Sequence, residues 1–136
     1  QRNALTKELN LVKGSEIYNK IDKYIQNTGY KLKSEILNYS VIKYKKGHFI
    51  HKHKDGGEIF MTCVVQLTNP NEYEGGDFIY WIDGVEYTLN KDIGYGVIIG
   101  PEVEHEVKII TKGERKSFVL FLYLKDVEKL TKQSFI

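Results

Sequence analysis

The sequence predicts a mainly β domain (a sandwich, jelly roll or barrel) preceded by a helical segment. Three observations predict it. Short runs rich in branched and aromatic residues recur after Ser34, turn signals separate those runs, and no helical periodicity falls between them. The alternation of strands with helices that builds a parallel α/β sheet is missing.

The first third has a different pattern. Residues 4–27 place Leu5, Leu9 and Val12, then Ile17, Ile21 and Ile25, three and four positions apart. One or two helices are expected there, with Gly14 and Ser15 as a break and N-cap and an end near Asn27-Thr28-Gly29. Strands are then expected at 36–44, 58–67, 77–82, 85–89, 94–100, 106–110 and 117–124. Asp55-Gly56-Gly57, Asn69-Pro70-Asn71, Gly75-Gly76, Asp83-Gly84 and Lys112-Gly113 mark the turns. Asp83-Gly84 suits the positive φ angles of a tight hairpin. Residues 125–136 read as a short helix and a tail. The division is thus 1–34 helical, 35–124 β core and 125–136 tail, all within one domain.

Composition limits the function. A chain of 136 residues fits one domain, and 41% hydrophobic with 28% charged residues argues for a folded core. A net charge of +2 gives little reason to expect a polyanion partner. The lone Cys63 excludes an internal disulfide and fits a reducing compartment or indifference to redox; a cytoplasmic location is expected. No apolar run approaches the roughly 18 residues of a membrane helix, and residues 1–20 lack a signal-peptide core. A soluble intracellular domain is expected.

The histidines are His48, His51, His53 and His105, three of them within GHFIHKHKDGG (47–57). On an extended segment His51, His53 and Asp55 share one side. Imidazoles and a carboxylate gathered on one face suit a divalent metal, with His105 arriving from a distant strand. The near pair is either His53 with Asp55, giving a two-histidine, one-carboxylate set, or His51 with His53. Arginine is scarce: Arg2 and Arg115 are the only two among twenty basic residues. Arg115 opens the final strand, and a guanidinium fork suits a carboxylate in a partly buried pocket.

From about Tyr44 to Tyr123 the sequence resembles the prolyl 4-hydroxylase branch of the 2-oxoglutarate- and Fe(II)-dependent oxygenases. Tyr44-Lys45-Lys46-Gly47 resembles the family's Tyr-x-x-Gly and sets the register of His-x-Asp on His53-Lys54-Asp55. Gln66-Leu67-Thr68-Asn69 with Glu74-Gly75-Gly76-Asp77-Phe78 resembles the Tyr-Leu-Asn…Gly-Gly stretch. His105-Glu106-Val107 resembles the distal His-x-Val, and Gly113-Glu114-Arg115-Lys116-Ser117-Phe118 the block that binds the far carboxylate of 2-oxoglutarate. Two positions depart from the pattern. Val65 or Gln66 stands where some relatives have a tyrosine, and Phe121 or Tyr123 where a tryptophan is frequent.

The resemblance implies a double-stranded β-helix with N-terminal helices packed outside one sheet. It implies iron on His53, Asp55 and His105, and 2-oxoglutarate held by Tyr44 and Arg115, with Lys116 as the alternative anchor. The cofactors implied are Fe(II), 2-oxoglutarate and O2, with ascorbate as a further candidate. The activity implied is hydroxylation of a substrate C–H, first that of a peptidyl proline in a peptide or protein. The alternatives are an oxygenase for a free amino acid or other small molecule, and a non-catalytic metal-binding jelly-roll module. Nucleic-acid demethylation is disfavoured, because Val119 and Phe121 stand where that branch carries a second arginine. Residues 68–78 and 29–35 are expected to be substrate-facing loops.

Overall fold

The computed structural model describes residues 2–3 and 5–131. In chain order the elements are β1 (Arg2–Asn3), β2 (Leu5–Val12), α1 (Glu16–Gln26), β3 (Tyr30–Leu32), β4 (Ile36–Lys45), β5 (Phe49–His53), β6 (Ile59–Gln66), β7 (Tyr73–Gly75), β8 (Phe78–Ile82), β9 (Val85–Thr88), β10 (Gly96–Ile99), β11 (Glu104–Val107), β12 (Ile110–Tyr123) and β13 (Val127–Lys129). Two antiparallel sheets face each other. The minor sheet runs β1-β5-β11-β8-β9, and the major sheet runs β10-β6-β12-β4-β2. This is a double-stranded β-helix.

Alternation along the strands divides the apolar residues between two cores. Ile42, Tyr44, Val64 and Val119 of the major sheet meet Phe78 and Val107 of the minor sheet in the interior. Leu37, Leu120 and Leu122 point the other way, onto Tyr18 and Ile25 of α1. The helix therefore packs outside the major sheet, as expected. Ser15 caps it by accepting a hydrogen bond from the Tyr18 backbone N–H, and Gly29 at φ 89° lies just past its end.

The first part of the helical N-terminus is different from expectation. Leu5–Val12 is a strand, paired in register along β4 from Leu5 opposite Lys43 to Val12 opposite Ile36. Its apolar spacing fits a helix, but Leu9 and Leu11 also alternate, and Leu11 is buried in the outer core. The open edge of β4 supplies backbone partners that an isolated short helix would lack. The division of 1–34 as wholly helical is corrected accordingly.

The C-terminal expectation also changes. Leu124–Asp126 is one 3-10 turn, and Val127–Lys129 is a strand paired with Tyr30–Leu32. The tail beyond Thr131 lies outside the described residues. Lys112-Gly113 is not a turn but part of the long strand β12, where Gly113 at φ 74° pairs opposite Tyr73. Asp83-Gly84 does form the tight hairpin, with φ 50° and 78°.

Candidate metal centre

Strands β5 and β11 are neighbours in the minor sheet, with His53 directly opposite His105. Asp55 follows β5 by two residues. The ligand atoms of His53, Asp55 and His105 all lie within 4.8 Å of one another. Each imidazole Nε2 is 3.5 Å from Asp55 Oδ1.

The polar contacts around these three side chains orient them. His53 Nδ1 is 2.7 Å from the His51 carbonyl, and His105 Nδ1 is 3.0 Å from the Val103 carbonyl. A carbonyl only accepts, so both Nδ1 atoms donate and each neutral ring turns its Nε2 lone pair inward. The Thr62 hydroxyl donates to Asp55 Oδ2 at 2.7 Å, leaving Oδ1 for the centre. Lone pairs from two nitrogens and one carboxylate oxygen then converge on one point. A cation, either protons or a divalent metal, is what balances them. The donor set fits Fe(II), with ligands on one side and the other side open to the cavity.

Burial pushes the Asp55 carboxyl up, but when protons occupy the two Nε2 atoms, hydrogen bonds from His105, His53 and Thr62 outweigh it and hold the group well below the usual carboxylate range. The hydrogen bond with Asp55 raises His53, against a smaller opposing effect of burial.

His51 does not join them. Strict alternation places it beside His53, yet it is exposed, with its ring against Phe49 at 4.7 Å. The cause is a bulge. β11 advances two residues from His105 to Val107 while β5 steps three, from His53 to Ile50. The extra residue reverses the alternation, so Ile50 and His53 line the cavity and His51 does not. His48 instead accepts a hydrogen bond from the Lys45 backbone N–H at 2.9 Å, closing the turn before β5.

The same cavity is lined by Tyr44 and Ser117. Arg115, one inward position along β12 from Ser117, is fully buried with its guanidinium carbon 5.0 Å from the Tyr44 ring centre. Its Nε donates to Gln66 Oε1 at 3.2 Å, but Nη1 and Nη2 have no hydrogen-bond partner among the described residues. The Ser117 hydroxyl is likewise buried and unpartnered. A buried cation with unmet donors is costly, so the surroundings of this guanidinium suit an anion. Lys116 is exposed on the opposite face, and its backbone N–H bonds Thr68 Oγ1.

Gly76 stands beside this arginine. A side chain there would strike Ile110 and come 3.2 Å from Arg115 Cδ, so the second glycine of the Gly75-Gly76 pair lets the chain close over the guanidinium. Of the two expected substrate loops, 68–78 forms this wall through Tyr73 and Gly76, while 29–35 places Leu32 in the outer core. Sequence reasoning passed over Thr62 and Ser117. The signal was there: both are small polar residues at inward positions of otherwise apolar strands.

No family model matches the chain. A PKHD-type hydroxylase of Colwellia psychrerythraea (strain 34H / ATCC BAA-681) is 32% identical over 56 residues, which is 41% of this chain and 25% of that protein. The chain spans about a quarter of the length of this curated relative. A Pseudomonas putida prolyl-4-hydroxylase superposes with TM-score 0.69 at 21% identity, over 90% of this chain and 73% of that one. A viral collagen prolyl hydroxylase from Paramecium Bursaria Chlorella virus-1, solved as a 2-oxoglutarate complex, gives TM-score 0.64 at 15% identity over 88% and 79%. The fold is the one these proteins share. The structural likeness to the two prolyl hydroxylases extends through most of the chain, and the sequence match to the PKHD-type hydroxylase through 41% of it.

Proposed function

We propose that the chain is an Fe(II)- and 2-oxoglutarate-dependent dioxygenase that hydroxylates a substrate C–H, a peptidyl proline first. The observation that carries this reading is a cavity with converging donors in its wall and, behind Tyr44 and Ser117 of the same wall, a buried cation. His53, Asp55 and His105 converge, and Arg115, whose Nη1 and Nη2 have no hydrogen-bond partner among the described residues, lies beside Tyr44.

In this reading His53, Asp55 and His105 hold the iron, and Arg115 takes the far carboxylate of 2-oxoglutarate. Bound there, the metal and 2-oxoglutarate supply the oxidative decarboxylation that drives C–H hydroxylation. The chain's own share is orientation and exclusion of water. Thr62 fixes the Asp55 carboxylate, and the His51 and Val103 carbonyls fix the two imidazoles. Tyr44 flanks the guanidinium, and Ile42, Val64 and Val119 keep the interior apolar. The named hydroxylases of the same fold support peptidyl proline as the substrate class.

Among the described residues no helix is long and apolar enough to cross a membrane. The cytoplasmic setting suggested by the lone Cys63 belongs to this same reading. Incubation with Fe(II), 2-oxoglutarate and O2 should yield succinate, and Asp55→Ala should abolish it. Metal binding without any succinate would leave a non-catalytic module as the better reading.

A further inference from the structure

Among the described residues the two facing sheets end on four edge strands, and three of these carry charged residues. They are Lys7 and Glu8 in β2, Glu86 in β9 and Arg2 in β1. The fourth, β10, reads Gly96-Val97-Ile98-Ile99, without charge or proline, and pairs with β6 in unbroken register on one side only. Open edges normally carry a charge, a proline or a bulge that prevents pairing with another chain. This edge has none.

An apolar groove runs beside it on the outer face of the major sheet. It holds about 190 Å³ and is lined by Ile17, Ile21 and Tyr24 of α1, Met61 and Cys63 of β6, and Ile98 of β10. Ile98 lies opposite Cys63, so it stands on the face that carries the helix. Ile17, Tyr24 and Ile98 are 51%, 45% and 38% exposed. Groove and edge form one uncovered apolar strip.

We propose that this strip binds a second copy of the chain, with the two β10 strands paired antiparallel across a two-fold axis and the two α1 helices closing the groove between them. Nothing in this depends on the oxygenase reading.

Such an axis is perpendicular to the sheet, so both outer faces lie on one side and a single operation covers edge and groove together. Opposed residues share a face, so the register must set a residue against itself or against one an even number of positions away. With the two Ile98 side chains opposite each other, apolar meets apolar. The neighbouring registers would set Ile98 against Gly96 or Gly100.

The charges agree with a second copy as the occupant. Glu16 and Lys20 pair at 3.2 Å, and Lys20 reaches the groove wall. The axis sets the helices antiparallel, so the lysine of each copy approaches the glutamate of the other. A formal charge of +2 per chain adds little repulsion. The 11 residues of α1 and four of β10 span about 16 Å and about 13 Å. A seam that short falls below the roughly 800 Å² per partner of a standard interface, so the dimer is reversible in the micromolar range.

Sedimentation equilibrium of the full chain across the micromolar range reads this directly. The wild-type chain should pass from monomer to dimer as concentration rises. Ile98→Lys sets like charges face to face and should weaken the dimer by about tenfold or more, and Ile17→Lys should weaken it from the helix side. In a Cys63→Ser background, Ile98→Cys should form an intermolecular disulfide on oxidation, and Val85→Cys on the β9 edge should not.

A chain that stays monomeric, or a dimer indifferent to Ile98→Lys, would overturn the proposal. Cross-linking through Val85→Cys in place of Ile98→Cys, or through neither, would overturn it as well. If the chain is monomeric and removal of residues 132–136 speeds alkylation of Cys63, the groove belongs to that segment and not to a second copy.

Discussion

At the scale of single residues, several side chains of the cluster can be removed without removing a core side chain. Asp55→Ala and His105→Ala each remove one converging donor, so Mn(II) or Fe(II) affinity should fall by 10-fold or more. His51→Ala should retain it, because that ring sits edge-on to Phe49 outside the cluster. Calorimetric metal titration checks all three. Arg115→Ala should raise the 2-oxoglutarate KM by roughly tenfold to a hundredfold, since a charge-assisted contact to a buried carboxylate is worth about 1.5–3 kcal/mol. Lys116→Ala should do little, as it faces solvent. A pH dependence follows from His53. Its pKa is raised by Asp55, so the imidazolium persists above the ordinary value of about 6.5 and competes with metal. Metal affinity should therefore fall as pH drops through that raised pKa, with protons released on binding. Asp55 stays ionised throughout this range and adds no dependence of its own. Titrations near pH 6 and 8 in buffers of different ionisation heat read this directly.

Within single elements, the sequence and the structure disagree where two periods overlap. Apolar residues at Leu5, Leu9 and Val12 satisfy a helical spacing, while Leu9 and Leu11 satisfy a strand, and pairing along β4 decides in favour of the strand. His51 was grouped with His53 by alternation, which holds only until a bulge interrupts it. By contrast, His53, Asp55, His105 and Arg115 were legible as motifs, because their spacing survives any local irregularity. The partners of Thr62 and Gln66 were not, since Asp55 follows a strand of the other sheet and Arg115 lies on a strand distant in sequence, and no local pattern announces such a pairing. Glycine shows a similar contrast between Gly113 and Gly84. Both have positive φ, but a side chain at Gly113 collides with the Glu72 carbonyl oxygen, whereas Gly84 faces open space. Gly113→Ala should cost about 1–3 kcal/mol more than Gly84→Ala. Differential thermal melting of the two variants would show it as a gap of several degrees.

For the whole molecule, the β-helix explains why residues far apart in sequence act together. The minor sheet brings His53 and His105 side by side, and the major sheet delivers Tyr44, Gln66 and Arg115 from three adjacent strands. The strand runs and turn signals made this architecture legible in outline, since each inward position had to be apolar or functional. The order of strands within each sheet was not legible, because it depends on pairing between distant segments. The most direct measurement of the central claim is mass spectrometry of a proline-containing peptide and of free L-proline after incubation with the chain, Fe(II), 2-oxoglutarate and O2, with succinate measured alongside. The account predicts one added oxygen on a peptidyl proline, matched by succinate and absent in Asp55→Ala. Oxygen added only to free proline would contradict the peptide substrate, and equal products from Asp55→Ala and the wild-type chain would contradict the metal centre itself.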